Sequence, residues 1–120
     1  MNGLNKMNNE KTTSEQQIVI LKETITTLVR QDTPDLSARQ LAVFLICYLD
    51  EAVQTVRGLA ANLNVSKPAI TRALDRLEEL EFVTRKTDPM DRRSVLIQHT
   101  DAGKEYLTNI KNIINSAAKK

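Results

Sequence analysis

Residues 55–80 hold the sequence pattern with the fewest structural solutions. A short helical stretch over 55–62 runs into Asn62, Leu63 and Asn64. Asparagine tolerates the left-handed backbone that a tight turn between helices requires. Ser66 then stands as the cap of a longer helix, with Pro68 in its first turn, where a missing N–H costs little. Ile70, Ala73, Leu74, Leu77 and Leu80 recur at helical spacing and form its inner face. A short helix, a tight turn and a capped longer helix make a helix-turn-helix.

The period changes at Phe82. Residues 82–86 and 94–99 are rich in β-forming side chains, and 87–93 contains Asp88, Pro89 and several charges. This predicts a two-stranded hairpin with a long charged loop, directly after the helix-turn-helix. Upstream, Ser14 with Gln17 and Ser37 with Gln40 have capping-box spacing. They predict helices over 14–30 and 37–49, with a break at Pro34. The stretch 41–49 is apolar on every face, so the second helix is expected to be buried on all sides. Thr100 caps a last helix over 101–118. The expected fold is mostly α with a small β-hairpin, a winged helix-turn-helix forming one domain over 14–120. Residues 1–13 are polar and aperiodic, which predicts a flexible tail.

Composition narrows the chemistry. The hydrophobic fraction of 41% supports a core, but there is no tryptophan, and the aromatics are Phe44, Tyr48, Phe82 and Tyr106. Most of the core must therefore be aliphatic. Cys47 is the only cysteine, which excludes a disulfide within the chain and a cysteine-based zinc site. His99 is the only histidine, so a multi-histidine metal centre is excluded too. No metal, no cofactor and no enzymatic activity are expected. The apolar run 41–49 is about half the length of a membrane span. The polar first residues lack the apolar stretch of a secretory leader. A cytoplasmic protein without membrane attachment is the expectation.

The formal net charge of +2 does not by itself announce nucleic-acid binding. The distribution of charge is more informative. Ser66, Lys67, Ala69, Thr71, Arg72 and Arg76 share the outer face of the longer helix, while Glu78, Glu79 and Glu81 lie at its far end. Ser66 and the free N–H groups of the first turn suit a phosphate, as do Lys67 and Arg76. Thr71 and Arg72 fall where base edges would lie in a major groove. The hairpin adds Arg85, Lys86, Arg92 and Arg93 against Asp88 and Asp91. Asp91 and Arg93 are close enough to brace one another, which would present an arginine to the minor groove. The expected DNA-contact set is Ser66, Lys67, Pro68, Thr71, Arg72, Arg76, Arg92 and Arg93, on a core over 37–100. A winged helix that binds protein and not DNA is the alternative. Such a module would more often show an apolar patch on this face.

These residues resemble a known family. The segment LAANLNVSKPAITRALDRL at 59–77 is similar to the helix-turn-helix of MarR-type transcriptional regulators. Val83-Thr84-Arg85, Asp91-Arg92-Arg93, Val95-Leu96-Ile97 and Thr100-Asp101-Ala102-Gly103 resemble that family's wing and the start of its next helix. The resemblance covers roughly residues 36–107. It implies a dimeric winged-helix repressor or activator, with Arg93 in the minor groove and Asp91 bracing it. It also puts dimerisation on the helices over 14–30 and 101–118. The apolar stripes of those helices, Leu21, Ile25 and Leu28 with Leu107, Ile110, Ile113 and Ile114, exceed what one small core needs. The implied partners are a palindromic double-stranded DNA site and a second copy of the chain. No small-molecule effector is assigned. Two departures stand out: Glu81 and Asn64 occupy positions where the family favours glycine. Glu81 must then take a positive φ or end its helix differently. Cys47 reads as a buried structural thiol, and His99 as a surface or capping residue.

Overall fold

The computed structural model describes residues 13–120. The expected flexible tail lies outside the described residues, except for Thr13. Thr13, not Ser14, caps the first helix: its hydroxyl accepts from Gln16 N–H and Gln16 returns a bond to Thr13 N–H. The capping box is thus one residue earlier than Ser14 and Gln17 suggest.

In chain order the elements are α1 (Ser14–Arg30), α2 (Ala38–Leu49), α3 (Val56–Leu63), α4 (Lys67–Glu79), β1 (Val83–Asp88), β2 (Asp91–His99) and α5 (Asp101–Ala118). They divide into two compact units, one over 34–108 and the other built from α1 and the chain from 109 onward. No helix among the described residues is long and apolar enough to cross a membrane.

The larger unit packs α2, α3, α4 and the hairpin around Val43, Phe44, Leu59, Ile70, Leu74, Leu77 and Val83. The few aromatic rings are gathered here. Phe44 stacks on Tyr48 at 4.6 Å between centroids and meets Tyr106 edge-on at 5.2 Å, while Phe82 stacks on Tyr106 at 4.4 Å. Helix α2 is not buried on every face. Val43, Phe44 and Cys47 are buried, but Leu49 is exposed. An apolar sequence can fill a helix whose surface is only partly covered by its own chain.

Among the described residues, three helices end in a left-handed residue, and none of these is glycine: Asp32, Asn64 and Glu81. Asn64, at φ 56°, makes the turn of the helix-turn-helix as its sequence position predicts. Glu81, at φ 65°, closes α4 in a Schellman turn. Its N–H donates to Glu78 C=O at 2.9 Å, and Phe82 N–H donates to Leu77 C=O at 2.9 Å. Buried Phe82 and Leu77 supply the apolar contact that accompanies this motif.

The hairpin differs from the expected long loop. Strand pairing runs from Val83 opposite His99 to Thr87 opposite Val95, and then shifts so that Asp88 faces Asp91. Pro89 and Met90 form the tip. Residues 92–94 have no partner on β1 and make a bulge. The charges of 87–93 therefore belong to a paired ladder and its bulge.

In the smaller unit, Glu23 binds Lys22 at 2.6 Å and Lys120 at 3.4 Å, and Asn109 donates to Gln31 at 2.8 Å. Thr24 is the only buried residue of α1. Ile18, Val19, Leu21, Ile25 and Val29 are exposed.

The left-handed glutamate gives a direct test. An L side chain at positive φ is strained, whereas glycine accepts the conformation but frees the unfolded chain. Glu81→Gly should stabilise the fold by about 0.5–1 kcal/mol. Urea unfolding should show a higher midpoint, and a lower one would contradict this account of the turn.

Candidate nucleic-acid interface

Helix α4 is presented by its two ends. At its start the Ser66 hydroxyl accepts from Ala69 N–H at 3.2 Å, and Pro68 sits in the first turn. Its inner face is fixed by buried Ala69, Ile70, Ala73, Leu74 and Leu77. Ala69 therefore leaves the predicted outer face, since its side chain turns inward. Ser66, Lys67, Pro68, Thr71 and Arg72 are exposed on one side.

Arg76 is less free than the sequence implies. Its guanidinium binds Glu79 at 2.8 Å, one turn along the same helix. The predicted separation of acids from the reading face is also incomplete. Asp75 lies four residues after Thr71, on the same side, and its side chain is 58% exposed.

Arg85 answers Asp75. From β1 it donates through Nε to Glu78 at 2.9 Å and through Nη2 to Asp75 at 2.7 Å. Burial works against its charge, but the hydrogen bonds to Glu78 and Asp75 outweigh that penalty and hold its pKa above the ordinary range. Arg85 is therefore committed within the chain and is not a loose wing cation.

The bulge carries Arg92 and Arg93, both exposed. Asp91 Oδ1 accepts from Arg93 N–H at 3.1 Å and lies 3.5 Å from Arg93 Nε. Asp91 Oδ2 accepts from Ser94 at 3.4 Å. One carboxylate so shapes the bulge and steadies the base of an arginine whose side chain is still 84% exposed. Between the wing and α4 runs a groove of about 250 Å³ lined by Arg57, Lys67, Thr71 and Arg93. Arg57, in the first turn of α3, has no signal in the sequence that marks it as part of this face. Only the packing of α3 beside α4 brings it there.

Cys47 and His99 lie elsewhere. Cys47 is 5% exposed, and His99 stacks on Tyr48 at 4.0 Å with Nε2 2.6 Å from Cys47 C=O. No cluster of three potential metal-binding side chains occurs among the described residues.

A capped helix with an exposed outer face, a tight turn before it and a braced hairpin beside it define a winged helix. The model of the MarR family matches residues 36–95, and the chain belongs to that family. It is 37% identical over 57 residues to the "uncharacterized HTH-type transcriptional regulator YkoM" of Bacillus subtilis (strain 168), covering 48% of this chain and 37% of that protein. It is 34% identical over 67 residues to the "uncharacterized HTH-type transcriptional regulator YdgJ" of the same organism, covering 56% and 40%. The chain thus spans less than half the length of these curated relatives. In fold it is similar to a chain of the S. aureus MepR–DNA complex, with a TM-score of 0.69 and 21% identity. That likeness covers 80% of this chain and 77% of the other.

Burial, and to a smaller extent Asp50, pushes the Cys47 thiol up from 9.0 to about 12. The neutral thiol therefore favours the folded state. This contribution is complete below pH 9.0 and is lost as pH rises towards about 12. Cys47 in the folded protein should resist a thiol-specific disulfide reagent at pH 8 and react at once in urea. Rapid labelling without denaturant would contradict the buried placement.

Proposed function

We propose that the chain is a sequence-specific, double-stranded DNA-binding transcriptional regulator. In this reading α4 enters the major groove, where Thr71 and Arg72 meet base edges. Ser66, Lys67 and Pro68 lie along the phosphate backbone. The hairpin reaches the flanking minor groove with Arg93, and Arg92 adds charge beside it. Arg76 contributes only by exchanging Glu79 for a phosphate. The observation that carries this reading is the convergence of Lys67, Arg93 and Arg57 on one groove beside an exposed Arg72. Phosphates are attracted by such a cation cluster, while a capped helix and a braced bulge fix its spacing.

The chain acts in this proposal as a homodimer that reads a roughly palindromic site, with half-sites about one helical turn apart. The exposed apolar side chains of α1, together with Ile114, supply a face that association would remove from water. Leu28 and Leu107 are half-buried, and Ile110 and Ile113 are buried in the single chain. The stripe expected to form the seam is therefore partly used within one copy, and Leu21, Ile25 and Ile114 remain its free part.

DNA selected from a random pool tests the reading. Lys67→Ala should flatten the log–log salt dependence of binding by about two units, one for each copy in the dimer. Arg72→Ala should cost about 1–3 kcal/mol and relax preference at one position in each half-site. Arg93→Ala should weaken binding while leaving the core motif intact, with any change confined to flanking A·T content. A core motif altered by Arg93→Ala and untouched by Arg72→Ala would reverse the assignment. Failure to select any DNA would favour the protein-binding alternative.

Association is checked separately. The exposed Leu21→Asp should leave the monomer fold intact and place a charge in the seam. Sedimentation should show dimers of the parent and monomers of the variant at micromolar concentration. A monomeric parent would remove the homodimer from the proposal.

A further inference from the structure

The DNA reading leaves one arrangement unexplained. A reading helix should not carry an exposed acid on its outer face, yet Asp75 stands one turn beyond Thr71 and Arg72. Facing phosphates, an unpaired carboxylate there would repel them. Arg85 lies against it from the first strand of the wing, and its guanidinium spans Asp75 and Glu78 together. Only 24% of the Arg85 side chain is exposed, against 84% for Arg93. Arg85 and Arg93, two of the hairpin's three arginines, thus do different work. Arg93 points outward, whereas Arg85 is consumed by the helix next to it.

We propose that Arg85 is a positioning residue for DNA reading, which fixes the wing to α4 and cancels the charge of Asp75 on the reading face. The inference rests on the proposed DNA binding and adds to it a residue that touches no DNA. Its geometry is suited to the task. A guanidinium is a planar fork, so bonding through two different nitrogens sets both distance and orientation between its partners. The hydrogen bonds span ten residues of sequence, from Asp75 across the turn at Glu81 to the second residue pair past the start of β1. That turn is made by a non-glycine residue at positive φ, and the fork ties its two arms together. A lysine would keep the charge and lose the fork. An asparagine at position 75 would remove the repulsion and leave the bond to Glu78.

Four variants separate these roles: Arg85→Gln, Arg85→Lys, Asp75→Asn and the double variant Arg85→Gln with Asp75→Asn. Each is measured on the duplex selected by the parent, for affinity, salt slope and preference for flanking A·T content. Urea midpoints confirm that each variant is folded. Arg85→Gln should lose roughly tenfold in affinity and flatten the flanking preference, because the acid is bared and the wing loses its tether. Its salt slope should stay that of the parent. The double variant and Arg85→Lys should recover affinity but not the flanking preference. Asp75→Asn should bind as well as the parent or better.

A salt slope flattened by about two units in Arg85→Gln would place Arg85 on a phosphate and overturn the proposal. An unchanged flanking preference in every Arg85 variant would overturn the tether. No recovery in the double variant would overturn the charge cancellation. A parent that selects no DNA would sink the DNA reading and this proposal with it. A parent that binds, with variants indistinguishable from it, would sink the proposal alone.

Discussion

The hydroxyl of Tyr48 sits where the end of α2, the corner after α4 and the start of α5 meet. It donates to Phe82 C=O at 2.6 Å and accepts from Thr100 N–H at 3.0 Å. Thr100 continues the junction, donating its hydroxyl to Glu81 C=O at 2.6 Å and accepting from Gly103 N–H at 2.9 Å. Two hydroxyls thereby satisfy backbone groups that the turn and the helix end would otherwise leave unpaired. Gly103 is needed for this closeness, since a Cβ there would overlap both the Tyr48 hydroxyl and the Phe82 carbonyl. The wing leaves the body of the unit at Val83, immediately after this corner. Its direction relative to α4 is therefore set by the junction at one end and by Arg85 further along.

Charge on the candidate interface is organised by pairing more than by number. Arg76 is held by Glu79, and Arg85 by Asp75 and Glu78. These pairs neutralise acids on and near α4 and contribute little to stability where they are exposed. Lys67, Arg72, Lys86, Arg92, Arg93 and Arg57 remain exposed and outside those pairs. A chain with a formal net charge of only +2 can so present a cationic face.

Much of this was readable from local chemistry. The caps at Ser37 and Ser66, the asparagine turn at Asn64 and the strained position of Glu81 each depend on a few neighbouring residues, and each is where the sequence places it. The first cap is ambiguous by one residue in the sequence, because Thr13 and Ser14 both lie three positions before a glutamine. Composition alone makes the hairpin look too short, since Asp88, Pro89 and the neighbouring charges carry loop signals. Their pairing comes from the opposite strand and the bulge, which propensity does not register. The side of α4 on which Ala69 falls is poorly marked in the sequence, because a small side chain carries little periodic signal. The roles of Arg57, Tyr48 and Gly103 and the fork of Arg85 carry no local signal, because they depend on contacts between residues far apart in sequence.

In the proposed complex one element reads the major groove and another the flanking minor groove. Methylation interference on a selected duplex tests this in one experiment, since dimethyl sulfate marks guanine N7 in the major groove and adenine N3 in the minor groove. Methylated guanines should block binding inside two half-sites about one helical turn apart, and methylated adenines should block it just outside them. Interference at adenines inside the half-sites and at guanines outside them would contradict this arrangement, as would no interference at guanine anywhere in a site that contains them.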